Sequence, residues 1–197
     1  MTARSVAFSR TRLTELMVPS FANFGGKVHG GVILSLMDKV AYACASKHAG
    51  AYCVTVTVDG VEFLQPVEVG DLLHLDATVH YVGNTSLVVG IKVTTENIKT
   101  NEVKHTNNSF FTMVAKDDSG TPVTVPELEL TNHHEMRNFV TAIRRSKIRK
   151  EAQVKLQRDY DAFIPKEDFA LVDAHRCTIS FERDSAFDKT NSQCDEK

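Results

Sequence analysis

From Val32 to Ala45 nearly every position is apolar, and the run is entered through two glycine pairs, Gly25-Gly26 and Gly30-Gly31. A stretch with so little polar face predicts a helix enclosed by other elements, starting at Gly30 and stopping at Gly50. To His48 it would measure roughly 28 Å. Elsewhere the period is two. Val54, Val56 and Val58 alternate with threonines, which predicts a strand with one buried face, continued through Phe63 and Leu64 toward Pro66. Glu68 to Asp71 reads as a turn. Leu73, Leu75, Ala77, Val79 and Tyr81 alternate with polar residues, and Leu87, Val89, Ile91 and Val93 repeat the pattern after Gly83-Asn84, so these strands should be antiparallel neighbours. Arg12 to Val18 reads as a first strand broken by Pro19, and Val103 to Val114 as a last one, poorly alternating around Asn107 and Asn108. From His133 to Arg158 helical spacing returns, with Met136, Phe139, Val140 and Ile143 on one stripe.

One long apolar helix and at least four antiparallel strands pack most economically with the sheet curved around the helix, an α+β arrangement. The free edges of such a small sheet favour pairing with a second copy. Residues 1–10 read as a loose leader, and residues 188–197 as a disordered end.

Composition adds exclusions. The chain has 197 residues, 42% hydrophobic and 24% charged, with a net charge of -2. That suits one globular domain with an extension and gives no whole-chain signal for nucleic acid. No apolar run is long enough for a membrane span and the N-terminus has no apolar signal-peptide core, so a cytoplasmic protein is expected. Cys44, Cys53, Cys177 and Cys194 form no C-x-x-C pair, and the eight histidines form no metal motif. Cys44 is read as a core residue. Charge is uneven: between Arg137 and Arg158 eight basic residues face one acid, Glu151. Such a helix could steer a polyanion or contact nucleic acid, but the scarcity of interleaved aromatics disfavours nucleic acid, and a solvated face is the plainer reading.

Asp38 is the only acid of the apolar run. Ionised carboxylates are seldom set in apolar surroundings without a partner or a task. It follows Gly31 by seven residues, two helical turns, and so lies on the same face as the glycine-rich entrance. At that entrance backbone N–H groups and the helix dipole suit a negative oxygen. One helix would thus present donors for an oxyanion and a carboxylate able to take a proton from water.

Asn23, Gly26, His29-Gly30-Gly31 and Asp38, then Val54 through Asp71, then Gly83-Asn84-Thr85-Ser86, resemble in order and spacing the hotdog-fold acyl-CoA thioester hydrolases. The resemblance covers residues 11–126, with residues 127–197 as a C-terminal helical, basic extension. It implies a hotdog fold, an antiparallel sheet wrapped around a long central helix. It also implies dimers that join edge strands, often assembled as trimers of dimers, and hydrolysis of acyl-CoA to a free acid and CoA without metal or redox cofactor. Asp38 would act as general base or nucleophile, and Asn23 of the neighbouring copy would complete the site. Gly30 and Gly31 would supply the oxyanion donors, and His29 would line the site. Asn84, Thr85 and Ser86 would contact the CoA portion, and Pro66 and Val67 would flank its tunnel.

Each assignment has a plainer counterpart. Asp38 could be an interface carboxylate, Asn23 a turn former, His29 a hydrogen-bonded loop residue, and Asn84 to Ser86 ordinary hairpin chemistry. At the level of function, the rivals are an acyl-CoA-sensing hotdog protein that binds without turnover and a hotdog hydratase or dehydratase. Serine hydrolysis is disfavoured by the absence of G-x-S-x-G.

Overall fold

The structure is a computed structural model that describes residues 2–182; the disordered end and Cys194 lie outside them. Contacts divide the chain into two units, one through Arg145 and one from Ser146. The first opens with β1 (Arg4–Ser5), α1 (Val6–Ser9) and β2 (Thr11–Leu16), followed by α2 (Gly30–Ala49) and β3 (Tyr52–Asp59). The hairpin of β4 (Asp71–Val82) and β5 (Ser86–Asn97) comes next, then β6 (Val103–Lys116) and β7 (Leu128–Glu129). Helix α3 (His133–Asp161) starts in this unit, and α4 (Pro165–Asp173) belongs to the second.

Strands β2, β4, β5, β6 and β3 form, in that order, an antiparallel sheet of five. Its inner face buries Leu73, Leu75, Leu87, Val89, Phe111 and Met113 against Ile33, Met37, Val40 and Cys44 of α2. Burial pushes the Cys44 thiol up to about 12, as suits an inert core cysteine. Gly50, at φ 69°, ends α2 in the left-handed conformation where the pattern placed the stop.

Four expectations change. The leader is docked rather than loose: β1 pairs with β7, Val6 and Ser9 are buried, and the Arg4 guanidinium donates to the carbonyls of Lys47 and His48 at 2.9 and 2.7 Å. A cation there satisfies the orphan carbonyls at the negative end of α2. Phe63 and Leu64 do not extend β3, because Gly60 at φ 71° turns the chain away. The polar residues that break the alternation of β6 hold the resulting loop: the Asn107 amide donates to Glu62 O at 2.7 Å and the Ser109 hydroxyl to Asp59 O at 2.9 Å.

Nor does β3 bury its valines. It is an edge strand, the register with β6 slips between Thr55 and Thr57, and Val56 and Val58 are 55% and 42% exposed. Finally, α2 is not enclosed all round. Gly31, Leu34, Ser35, Asp38, Lys39 and Tyr42 form an exposed stripe, so Asp38 is not sunk in the core of the protomer.

On the outer face of the sheet, the register of β4 and β5 shifts at His80, whose ring lies over Gly90 and meets the Phe110 ring edge-on at 5.8 Å. The first turns of α3 cover this region: Phe139 packs on Tyr81 at 5.1 Å, and the Arg145 guanidinium lies over Phe110 at 3.9 Å. Asn132 and Glu135 cap the start of α3 reciprocally, through bonds from Glu135 N–H to Asn132 Oδ1 and from Thr131 N–H to the Glu135 carboxylate.

Burial, with His134 nearby, holds the His80 ring at about 4. Burial, aided by the charge of Arg4, also lowers His48 despite its bond to the Pro126 carbonyl. Both rings return to about 6.5 on unfolding, so below that pH the unfolded chain binds protons that the folded one refuses. Stability is therefore complete above about pH 6.5 and declines as the pH falls toward about 4. Urea unfolding midpoints measured across this interval should fall, and a His80→Gln variant should lose less over the same range.

Candidate active site

The site starts from a short loop. Asn23 Oδ1 accepts the backbone N–H groups of Gly25 at 2.9 Å and Lys27 at 3.2 Å, and the Asn23 N–H donates to Lys27 O at 2.7 Å. Gly26, at φ 77°, makes this tight reversal feasible. Asn23 is thus the turn former of the plainer reading. The same two bonds fix the orientation of its amide, whose Nδ2 group has no acceptor among the described residues. Val28 N–H donates to Val67 O at 2.9 Å and anchors the loop to the core.

At the head of α2, His29 is the N-cap: its Nδ1 accepts Gly31 N–H at 2.9 Å and its carbonyl accepts Val32 N–H at 2.9 Å. This corrects the expected donor pair. Gly31 N–H is occupied by the imidazole, which leaves Gly30 N–H as the donor without an acceptor among the described residues. Asn23, Phe24, His29 and Gly30 line a hollow of about 450 Å³.

Two turns along α2, the Asp38 carboxylate accepts the Thr55 hydroxyl at 2.6 Å. Thr55 also reaches Met113 Sδ at 3.2 Å. The contact leaves Asp38 Oδ2 without a protein partner among the described residues. Asp38 and Thr55 border a second hollow of about 320 Å³ between α2 and β3. The protomer thus gathers the predicted residues into two groups, Asn23 with His29 and Gly30, and Asp38 with Thr55.

The remaining predicted residues fall elsewhere. Register runs from Thr55 through Met113 to Leu87, two strands away and roughly 10 Å at strand spacing, so the β4–β5 hairpin carrying Asn84, Thr85 and Ser86 lies toward the same end of the sheet. The carbonyls of Asn84 and Thr85 accept the N–H groups of Val125 and Ala115, both at 2.9 Å. Pro66 is exposed, whereas Val67 is 2% exposed and part of the core. From sequence Thr55 is only a polar position on a strand. Its one sequence signal is a polar position on a strand that must face α2, which becomes informative only when Asp38 is known to lie opposite. Among the described residues no three His, Cys, Asp or Glu side chains gather as a metal site requires, and no helix is long and apolar enough to cross a membrane.

A sheet wrapped on a helix that carries an exposed carboxylate beyond a glycine-rich entrance defines the hotdog thioesterase class, and the thioesterase superfamily model matches residues 25–102. Protein VdlD of Helicobacter pylori (strain ATCC 700392 / 26695) is 45% identical over 148 residues, 74% of this chain and 84% of the relative. A hexameric acyl-CoA thioesterase solved in its apo form superposes with a TM-score of 0.75 at 38% identity, over 78% of this chain and 98% of that one. The acyl-CoA hydrolase of Staphylococcus aureus, solved with butyryl coenzyme A, coenzyme A and coenzyme A disulfide, gives a TM-score of 0.72 at 30% identity, over 81% of this chain and 97% of that one. That enzyme has also been solved with an asparagine, an aspartate or a threonine replaced by alanine, at positions 15 and then 17 residues apart. The chain belongs to the acyl-CoA thioester hydrolases of the thioesterase superfamily.

Proposed function

We propose that the protein hydrolyses acyl-CoA thioesters at a site shared between two copies, with Asp38 and Thr55 from one and Asn23 and Gly30 from the other. The observation that carries this reading is the Asp38 carboxylate, fixed by Thr55 at 2.6 Å through one oxygen and open through the other, on the exposed stripe of α2. Asn23, Asp38 and Thr55 have the residue types and the spacing of the three positions replaced in the Staphylococcus aureus enzyme. The division into two hollows supports a second copy. So do the apolar residues left uncovered beside them: Phe24 is fully exposed, and Val56 and Val58 lie open on an edge strand. The hexameric state of the solved thioesterase fits the same arrangement.

In this mechanism Asp38 takes a proton from water as the water oxygen bonds to the thioester carbon. Charge gathers on the carbonyl oxygen, where Gly30 N–H and the Asn23 amide donate. Collapse breaks the C–S bond; the leaving thiolate takes the proton held on Asp38, and the products are a carboxylic acid and CoA. His29 keeps the helix entrance in register by capping it. Only side chains, backbone N–H groups and water enter these steps.

Mixing two inactive variants tests the sharing directly. Asn23→Ala and Asp38→Ala chains, each nearly inactive alone, should recover about a quarter of wild-type thiol release when coassembled at random, because each mixed dimer holds one intact site. No recovery in demonstrably mixed oligomers would place both residues in a single protomer's site and overturn the arrangement.

A further inference from the structure

The hollow beside Asp38 has features that hydrolysis itself does not use. Its floor includes Cys53 and Met113, both buried, and its far side carries Tyr42 and Tyr52, whose rings stand 5.9 Å apart at 58° to one another. Tyr42 lies one helical turn beyond Asp38 on the exposed stripe of α2, about 6 Å along the axis. Tyr52 opens β3, three residues before Thr55. An acyl group whose carbonyl carbon sits at Asp38 and whose chain follows α2 toward β3 therefore meets the two rings.

We infer that Tyr42 and Tyr52 form the stop that sets acyl length, making this a hydrolase of short and medium unbranched acyl groups. The inference rests on Asp38 being the base that marks the carbonyl position. The hollow holds about 320 Å³, on the order of ten water-sized groups at about 30 Å³ each. Two tilted rings held by a helix and a strand are a stiffer end wall than aliphatic side chains, because each aromatic side chain turns about only two bonds. Both rings are partly exposed in the protomer, at 42% and 55%, so truncating them removes no contact of the protomer's own core.

The measurement is kcat/KM for butanoyl-CoA and dodecanoyl-CoA, read as the ratio of long to short within each variant so that a general loss of activity cancels. Tyr42→Ala, Tyr52→Ala and the double variant should raise that ratio at least tenfold, and Tyr42→Trp should lower it. A ratio within twofold of wild type in all four variants, or one lowered by the alanine substitutions, would overturn the assignment. Asp38→Ala, assayed alongside with butanoyl-CoA, separates the two readings. If it keeps wild-type turnover, the base assignment fails; if it is inactive while the ratios stay flat, only the length stop fails.

Discussion

Replacing Asp38 by asparagine should lower kcat for thioester hydrolysis by about a thousandfold, within the range by which positioned general bases accelerate reactions. At 1.36 kcal/mol per tenfold, that is about 4 kcal/mol of transition-state stabilisation. The amide keeps the size of the carboxylate and still offers an oxygen to the Thr55 hydroxyl, which bonds Asp38 at 2.6 Å, so local geometry and assembly should survive while proton acceptance is lost. KM should change far less than kcat, since the missing interaction acts on the attacking water rather than on bound substrate. Initial rates of thiol release, with the oligomeric state checked by light scattering, decide the matter. A variant retaining more than a tenth of wild-type kcat would remove Asp38 from the proton transfer.

Gly90→Ala should be the most damaging single methyl addition in the sheet. A Cβ at that position would come 2.2 to 2.6 Å from three atoms of the His80 ring, far inside van der Waals contact. The imidazole cannot swing away freely, because the Phe110 ring lies edge-on to it at 5.8 Å and the shift in register around His80 aims it over Gly90. Overpacking of this kind costs about 1 to 3 kcal/mol, and the tight contact here places Gly90→Ala near the upper end, a large share of a typical domain's stability. The urea unfolding midpoint reads it. In a His80→Ala background the same substitution should cost less than about 1 kcal/mol, because the clash is specific to that ring. Equal losses in both backgrounds would mean that the backbone of β5, and not His80, is what rejects the side chain.

Much of the architecture was legible because it follows from period and punctuation. The alternation in β4 and β5 could place its apolar set on only one face. Gly50 could end α2 because a left-handed cap there suits a residue without Cβ. The leader was illegible for a corresponding reason. Arg4 has no periodic partner in its own segment, and its task is to meet the carbonyls of Lys47 and His48, more than forty residues away. The break after β3 is illegible in the sequence because Phe63 and Leu64 look strand-like, whereas a bond from Asn107 to Glu62 O holds this segment in a loop.

The site divides along the same line. Asn23, Gly30 and Asp38 stand out by residue type and position along one loop and one helix, although the fold sets Gly30 and Asp38 beside separate hollows. What spacing could not show was who holds whom: His29 takes the N–H of Gly31, Thr55 takes one oxygen of Asp38, and Asp38 lies on the open side of α2 rather than inside it. The sequence by itself determined the helix, the strand period and the chemistry brought to the glycine-rich entrance, since these depend on neighbours a few residues apart. Only the tertiary structure decided which face of α2 stays open and which strand ends up at the edge. Those outcomes depend on contacts between segments that the chain order leaves far apart, where no local pattern records them.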